Sequence, residues 1–269
     1  MLVLYKSNIS NCLTIKSLIN SKSSLHPDFK ICVWDNSPTK QAEEEISTLV
    51  DIGCDIEYTH TPQNMSLAKI YNNVIKKNSD FEFLLLLDQD SSFDESYFKE
   101  FEQCVHQNPT VKLFIPLIES AGYIVSPGYF HSFKGKYWNQ KRHGLMESKN
   151  MIAITSGMIV KIDVFHEIGY FDEQLNLYGI DTNFMIRYRR HFKNFYVLSS
   201  NFNHDLSTHN DEPLNTKLRR FKDLRASAII NSKLFPFYIQ LLTRTFYLYK
   251  SIRYSIEYQS VQFLTSKTI

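Results

Sequence analysis

Apolar and polar positions fall into blocks along the first hundred residues, and the period of the blocks switches back and forth. Residues 2–5 form a short apolar run of strand type. Over 11–25, Leu13, Ile15, Leu18 and Ile19 recur at helical spacing. FKICVW (29–34) predicts a second strand, closed by the turn signal DNSP (35–38). A helix over 41–52 and a strand over 55–58 follow. The next helix, 66–77, carries Leu67, Ile70, Tyr71 and Val74 on one face. Then comes FEFLLLLDQDSSF (81–93), whose strand, 83–87, ends at Asp88 and Asp90. Strand alternating with helix predicts an α/β fold: a central, mostly parallel sheet with flanking helices. Ligands bind at the carboxyl ends of such strands. The polar residues to inspect are therefore Tyr5, Lys6, Asp35, Asn36, Asn64 and Asp88 to Asp90.

Past residue 110 the periods weaken. A strand is expected over 112–118. Residues 122–149 are rich in glycine and aromatics, including Tyr123, Tyr129, Phe130, Tyr137 and Trp138, with no clear period. Such a stretch is a functional loop or an irregular antiparallel ribbon. Residues 152–160, IAITSGMIV, read as one strand interrupted by Ser156 and Gly157, and a glycine inside a strand marks close backbone approach to a ligand. A helical turn (164–168), a helix (182–190) preceded by Gly179-Ile180-Asp181, a last strand (195–198) and a largely helical tail from 221 complete the pattern.

Composition narrows the function classes. The first glycine is Gly53. A G-x-G-x-x-G dinucleotide loop or a P-loop needs glycines after an early strand, so both are excluded. Four cysteines, Cys12, Cys32, Cys54 and Cys104, form no C-x-x-C pair. That argues against a zinc site or a disulfide framework and for a reducing cytoplasm. No apolar run reaches the roughly 18 residues of a membrane span, and the N-terminal stretch has no signal-peptide pattern. The net charge of +2 hides an asymmetry: residues 215–269 hold ten Lys/Arg against Asp223 and Glu257. A basic, aromatic tail on an acidic body suggests an anionic partner.

Asp88 and Asp90, one residue apart in extended chain, point the same way. Like charges so placed repel unless a cation lies between them. A hard divalent ion would resolve this, held by the carboxylates together with substrate phosphate oxygens. A second reading makes them caps for the helix that SSFDESYFKEF begins. Spacing alone does not choose. Asp181 has the same ambiguity, as a functional acid or as an N-cap for TNFMIRYRR.

Five segments in order resemble family 2 glycosyltransferases, which have the GT-A fold. LLLLDQDSSF resembles their D-x-D motif, in the D-Q-D-S form of bacterial rhamnosyltransferases. VWDNSP, QNMSLAKIYNNVI and the stretch from ITSGMIV through GYFDEQL to Asp181 resemble further family segments. The fifth is His204-Asp205-Leu206-Ser207, similar to the family's His-x-x-Gly, with His209 as a competing ligand. The resemblance covers about residues 1–210.

It implies a Mn²⁺ or Mg²⁺ ion at Asp88, Asp90 and His204. It implies donor contacts from Tyr5, Asp35, Asn64, Leu67, Asp88, Gln89 and Gly157, with Asp35 at the nucleotide base, and Asp181 as catalytic base. The implied reaction is inverting transfer from a nucleoside diphosphate sugar, dTDP- or UDP-linked, to a saccharide or lipid-linked saccharide in surface polysaccharide assembly.

The implied division is a GT-A domain over 1–214 and a helical C-terminal extension over 215–269. The extension reads either as a peripheral contact with anionic membrane at the inner face of the cell membrane, or as a helix pair packed on the body. No nucleic-acid partner is expected.

Lys6, Ser66, Ile180 and Ser207 depart from the family pattern. They leave room for a second function, a non-catalytic sugar-nucleotide-binding or membrane-tethering module. A sugar-1-phosphate nucleotidyltransferase is disfavoured, because its Gly-rich N-terminal loop is absent. Tyr129, Tyr137 and Trp138 are either sugar-stacking platforms or core.

Overall fold

The computed structural model describes residues 1–120, 122–131, 134–204 and 213–264. The first half alternates as expected: β1 (Leu2–Leu4), α1 (Leu13–Asn20), β2 (Lys30–Asp35), α2 (Glu43–Ser47), β3 (Asp55–His60), α3 (Leu67–Lys77) and β4 (Phe83–Asp88). The order β4-β1-β2-β3 is parallel throughout. The chain moves outward from β1 to β3, then returns through α3 to place β4 on the other side of β1. That reversal opens a crevice at the carboxyl ends of β1 and β4, where open α/β sheets bind ligands.

The all-apolar run in β4 has a simple cause. Leu84 and Leu86 face one core, with Tyr71 and Val74 of α3. Leu85 and Leu87 face the other, with Ile15 and Leu18 of α1. A strand covered on both faces needs apolar residues at every position. Two helices are shorter than their apolar pattern predicts. α1 stops at Asn20, and a 3₁₀ turn (Lys22–Ser24) follows. α2 passes into a 3₁₀ turn (Thr48–Ile52) that ends at Gly53, whose left-handed φ of 79° closes it.

The second half is antiparallel wherever hairpins connect it. After β5 (Ser91–Phe93) and α4 (Glu95–Gln107) come β6 (Leu113–Ser120), β7 (Tyr123–His131), β8 (Lys134–Trp138), β9 (Gly144–Glu147), β10 (Met151–Ile152) and β11 (Met158–Lys161). β11 lies between β4 and β6, antiparallel to both. The described residues of 122–149 thus belong to the ribbon rather than to a loop. β8 carries polar residues at the sheet's edge, which hides its period.

The single strand expected over 152–160 is two strands, β10 and β11, separated by a turn through Gly157. Gly157 has φ +71°, and a Cβ there would lie 2.6 Å from both Phe202 Cζ and Pro116 Cγ. The close approach this glycine allows is to the protein's own rings. Gly157→Ala is expected to cost about 3 kcal/mol, overpacking added to a left-handed backbone. Urea unfolding measures it, and a change near zero would contradict this packing.

α5 (Asp163–Ile168), α6 (Ile180–His191) and β12 (Asn194–His204) complete the body. β12 runs parallel to β6 and pairs antiparallel with β5 and β9. α7 (Leu214–Ser232) and α8 (Phe237–Glu257) close a small core of their own, in which Leu218, Phe221 and Phe263 pack with Tyr247, Tyr254 and Tyr258.

Candidate active site

The turn after β4 is held from α1 and β1. Thr14 donates its hydroxyl to Asp88 O, Cys12 Sγ donates to Gln89 O at 3.2 Å, and Tyr5 N donates to Gln89 Oε1 at 2.9 Å. Gln89 therefore fixes the β1 end to the turn. The capping alternative for Asp88 and Asp90 fails. α4 begins later, and its N-cap is Asp94, whose carboxylate accepts from Ser96 N at 2.8 Å.

Asp88 and Asp90 instead meet a histidine distant in sequence. Antiparallel pairing sets His204 of β12 opposite Ser91 of β5. One ligand atom from each of Asp88, Asp90 and His204 falls within 4.8 Å of the others. His204 Nδ1 is 3.2 Å from Asp90 Oδ1, and Nε2 is 3.9 Å from Asp88 Oδ2. Ser91 Oγ and Ser156 Oγ are 2.6 Å apart, each 3.4 Å from His204 Nδ1. Neither serine had a role at the site in the sequence reading: Ser91 is the serine of D-Q-D-S, and Ser156 marks, with Gly157, the break in the 152–160 run. His209 and residues 205–207 lie outside the described residues.

The donor set fits a divalent cation. Asp90 Oδ1 is buried, and its neighbour is the His204 ring nitrogen rather than a backbone N–H. Two carboxylates and one imidazole suit Mn²⁺ or Mg²⁺, the imidazole favouring Mn²⁺. Burial pushes the Asp88 carboxyl up to about 6; His204 pulls it down, and Asp90 pushes it further up. A carboxyl whose folded-state pKa exceeds its ordinary value near 3.8 stabilises the fold below that value and loses the contribution as pH rises through 6. A cation favours the ionised form and offsets the loss. The rise in melting temperature caused by Mn²⁺ should therefore be small at about pH 5 and grow towards pH 7. Thermal shift across that range checks it, and a flat increment would contradict the site.

Asp181 is the second residue of α6, behind Gly179 as N-cap with φ +75°. It is thus not the N-cap. Its Oδ1 accepts from Thr182 N at 2.6 Å, and burial pushes its carboxyl up. It shares a field with Asp88: each raises the pKa of Tyr71, and Asp181 also raises that of Asp88. Gly179 is fixed by α7. Asn231 Nδ2 donates to Gly179 O at 3.0 Å, and a Cβ on Gly179 would meet that nitrogen at 2.8 Å. Asn231 Oδ1 also accepts from Asn183 Nδ2 at 2.9 Å. The extension thereby touches the element that carries Asp181.

Asp35 is fully buried at the end of β2. Tyr58 Oη donates to its Oδ2 at 2.6 Å, and Ser37 N donates to its Oδ1 at 3.0 Å. It shapes the turn in which Asn36 sits. Asn36 holds the loop before α3, accepting from Met65 N at 2.8 Å and donating to Asn64 Oδ1 at 3.1 Å. Asn64 stands in the left-handed region, φ +47°, at the crevice rim. Leu67 opens α3, its N–H donating to Asn176 O at 2.9 Å, and Asn72 is bonded to Phe171 N and O. These bonds tie the Asn64 segment to the loop leading towards Asp181. Among the ribbon aromatics, Trp138 is core and Tyr129 packs on it. Tyr123 (62% exposed) and Tyr137 (57% exposed) pair outside.

Residues 12–169, more than half of the chain, match the sequence profile of glycosyl transferase family 2. The chain belongs to this family. It is similar to the dTDP-rhamnosyl transferase RfbF of Shigella flexneri, 28% identical over 158 residues. The aligned part is 52% of this chain and 49% of RfbF, so the family 2 chain spans about half the length of that curated relative. Its fold is similar to that of S. aureus TarS 1-349 in complex with UDP-GlcNAc (TM-score 0.59, 15% identity, 86% of this chain and 65% of TarS 1-349). It is also similar to GalNAc-T7 with UDP, GalNAc and Mn²⁺ (TM-score 0.60, 12% identity, 84% of this chain and 46% of that one). The architecture is the GT-A fold.

Proposed function

We propose that this family 2 protein is a metal-dependent, inverting glycosyltransferase. It moves a sugar, rhamnose first among the candidates, from a nucleoside diphosphate donor to a saccharide or lipid-linked saccharide in surface polysaccharide assembly. The observation that carries the reading is the gathering of Asp88, Asp90 and His204 at the crevice, in the same field as Asp181. Asp88, Asp90 and His204 would hold the cation. When bound, it would supply Lewis-acid stabilisation of charge on the departing diphosphate.

The other steps belong to the chain. Asp181 takes the proton of an acceptor hydroxyl as that oxygen bonds to the anomeric carbon. The bond from this carbon to the diphosphate oxygen breaks, and the bonding electrons leave with the nucleoside diphosphate. Single displacement inverts the anomeric centre. Tyr5, Asn64 and Leu67 would line the nucleotide side, the buried Asp35 and Asn36 hold the turns behind that rim, and Gln89 positions the turn after β4. The dTDP-rhamnosyl activity named for RfbF supports dTDP-rhamnose as donor, while the UDP complexes of TarS and GalNAc-T7 support a UDP-sugar. A thermal-shift screen of nucleotide sugars with and without Mn²⁺ separates them. Stabilisation by none would contradict the proposal.

The extension supports a second contact. Along α8, Tyr238, Leu241, Leu242, Leu248, Tyr249, Ile252 and Ile256 are exposed, and Arg244 and Arg253 are exposed on the same helix. No helix among the described residues is long and apolar enough to cross a membrane. An exposed apolar stripe with cations nearby suits the surface of an anionic bilayer. The protein should sediment with phosphatidylglycerol vesicles and not with phosphatidylcholine vesicles. Equal recovery with both would contradict a charge-dependent contact.

A further inference from the structure

A cavity of about 280 Å³ opens between the start of α6, α7 and α8, with Asp181 in its wall. Nearly all of its lining lies beyond residue 169, outside the part of the chain that matches the family. Its size is just below that of pockets for drug-sized ligands, roughly 300–1,000 Å³, and suits one sugar ring.

The polar lining is rich in acceptors. Ser227 and Ser232 of α7 and Thr243 of α8 each donate their hydroxyl to a carbonyl of their own helix, at 2.9, 2.7 and 2.8 Å. A hydroxyl has one proton to donate, so what these three can still offer a ligand is acceptor lone pairs. The Asp181 carboxylate adds acceptors. Asn231 gives one amide N–H to Gly179 O and accepts from Asn183 Nδ2, which leaves it one N–H. These acceptors suit a ligand with several O–H donors and no negative charge, and the Tyr178 and Tyr247 hydroxyls and the remaining Asn231 N–H add donors for its oxygens. A phosphate would face acceptors and a carboxylate.

The remaining wall is aromatic. Phe130 and Phe235 lie 6.1 Å apart, and the Arg189 guanidinium stands 5.9 and 5.8 Å from their centroids, which fixes both rings. Tyr247 completes the wall. Fixed rings suit the apolar C–H face of a sugar.

We propose that this cavity is the subsite for the terminal monosaccharide of the acceptor, built by the C-terminal helices and holding a neutral, hydroxyl-rich sugar against Asp181. The proposal rests on the reading of Asp181 as the base. It also gives the extension a role that does not depend on membrane contact.

Saturation-transfer NMR with L-rhamnose, D-glucose, D-galactose and N-acetyl-D-glucosamine tests it without requiring turnover. At least one of the four should bind the wild type. Thr243→Val, which keeps the shape and removes the acceptor oxygen, should weaken that binding about tenfold, the worth of one buried hydrogen bond. Thr243→Ser should restore it, and Ala228→Phe, which fills the cavity, should abolish it. UDP or dTDP affinity should stay the same in all three variants, which also reports that they fold. Binding of none of the four sugars, or unchanged sugar binding in both Thr243→Val and Ala228→Phe, overturns the subsite. Failure of the base reading looks different: Asp181→Asn would retain transfer while the cavity variants still lost sugar binding.

Discussion

Asp181→Asn should lower kcat about a thousandfold while donor affinity stays within a few-fold of wild type. General-base catalysis by a positioned carboxylate contributes about 10²–10⁴ in rate. An asparagine at this site keeps the shape and can still accept from Thr182 N, but it cannot take a proton. Donor binding should survive, because the groups assigned to the cation and the nucleotide lie at β1, β2, α3, β4 with its following turn, and β12, and none of them is on α6. The loss should therefore fall on kcat and not on donor KM. Burial already pushes the Asp181 carboxyl upward, which makes it a stronger base than a solvent-exposed aspartate. Steady-state kinetics checks this prediction, and full activity in the variant would remove Asp181 from the reaction.

Asp90→Asn should abolish the response to Mn²⁺ without weakening the metal-free fold. Asp90 raises the pKa of Asp88 by repulsion, and its own buried Oδ1 has the His204 imidazole beside it at 3.2 Å. An asparagine removes the repulsion and its Oδ1 can still accept from that ring nitrogen, so the melting temperature without metal should stay level or rise. Cation affinity should fall by more than a hundredfold, since even partners outside the ligand shell are worth about 10–100-fold. A residue that served only the fold would behave in the opposite way. It would lower the metal-free melting temperature and leave the Mn²⁺ increment intact.

The parts of this protein that were legible in its sequence share a physical reason. β4 was legible because a strand buried on both faces must be apolar at every position, and its polar end marks where the sheet meets solvent. The D-Q-D turn was legible for the same reason. Local periodicity did not show the assembly around it; only the family resemblance named His204 beside Asp88 and Asp90. His204 reaches Asp90 through the β5–β12 register, set by pairing over more than a hundred residues and invisible to local periodicity. Ser91 and Ser156 sit inside the D-Q-D-S and ITSGMIV segments, but their part in the site comes from the pairing that brings them beside the imidazole. Gly157 showed that a special backbone was needed but not for whom: its neighbours are Phe202 and Pro116. The ribbon was hidden by the polar, exposed edge strand β8. The cavity beside Asp181 depends on how α7 packs across α6 through Asn231 and Gly179, a tertiary contact with no local signature.

The anomeric configuration of the product tests the central claim most directly. The protein, Mn²⁺, dTDP-rhamnose or a UDP-sugar, and a saccharide acceptor are combined, and the new linkage is read by NMR. The account predicts nucleoside diphosphate release that EDTA stops, a product with inverted configuration at the anomeric carbon, and about a thousandfold slower product formation by Asp181→Asn. A product of retained configuration, or transfer at the wild-type rate in Asp181→Asn, would contradict it.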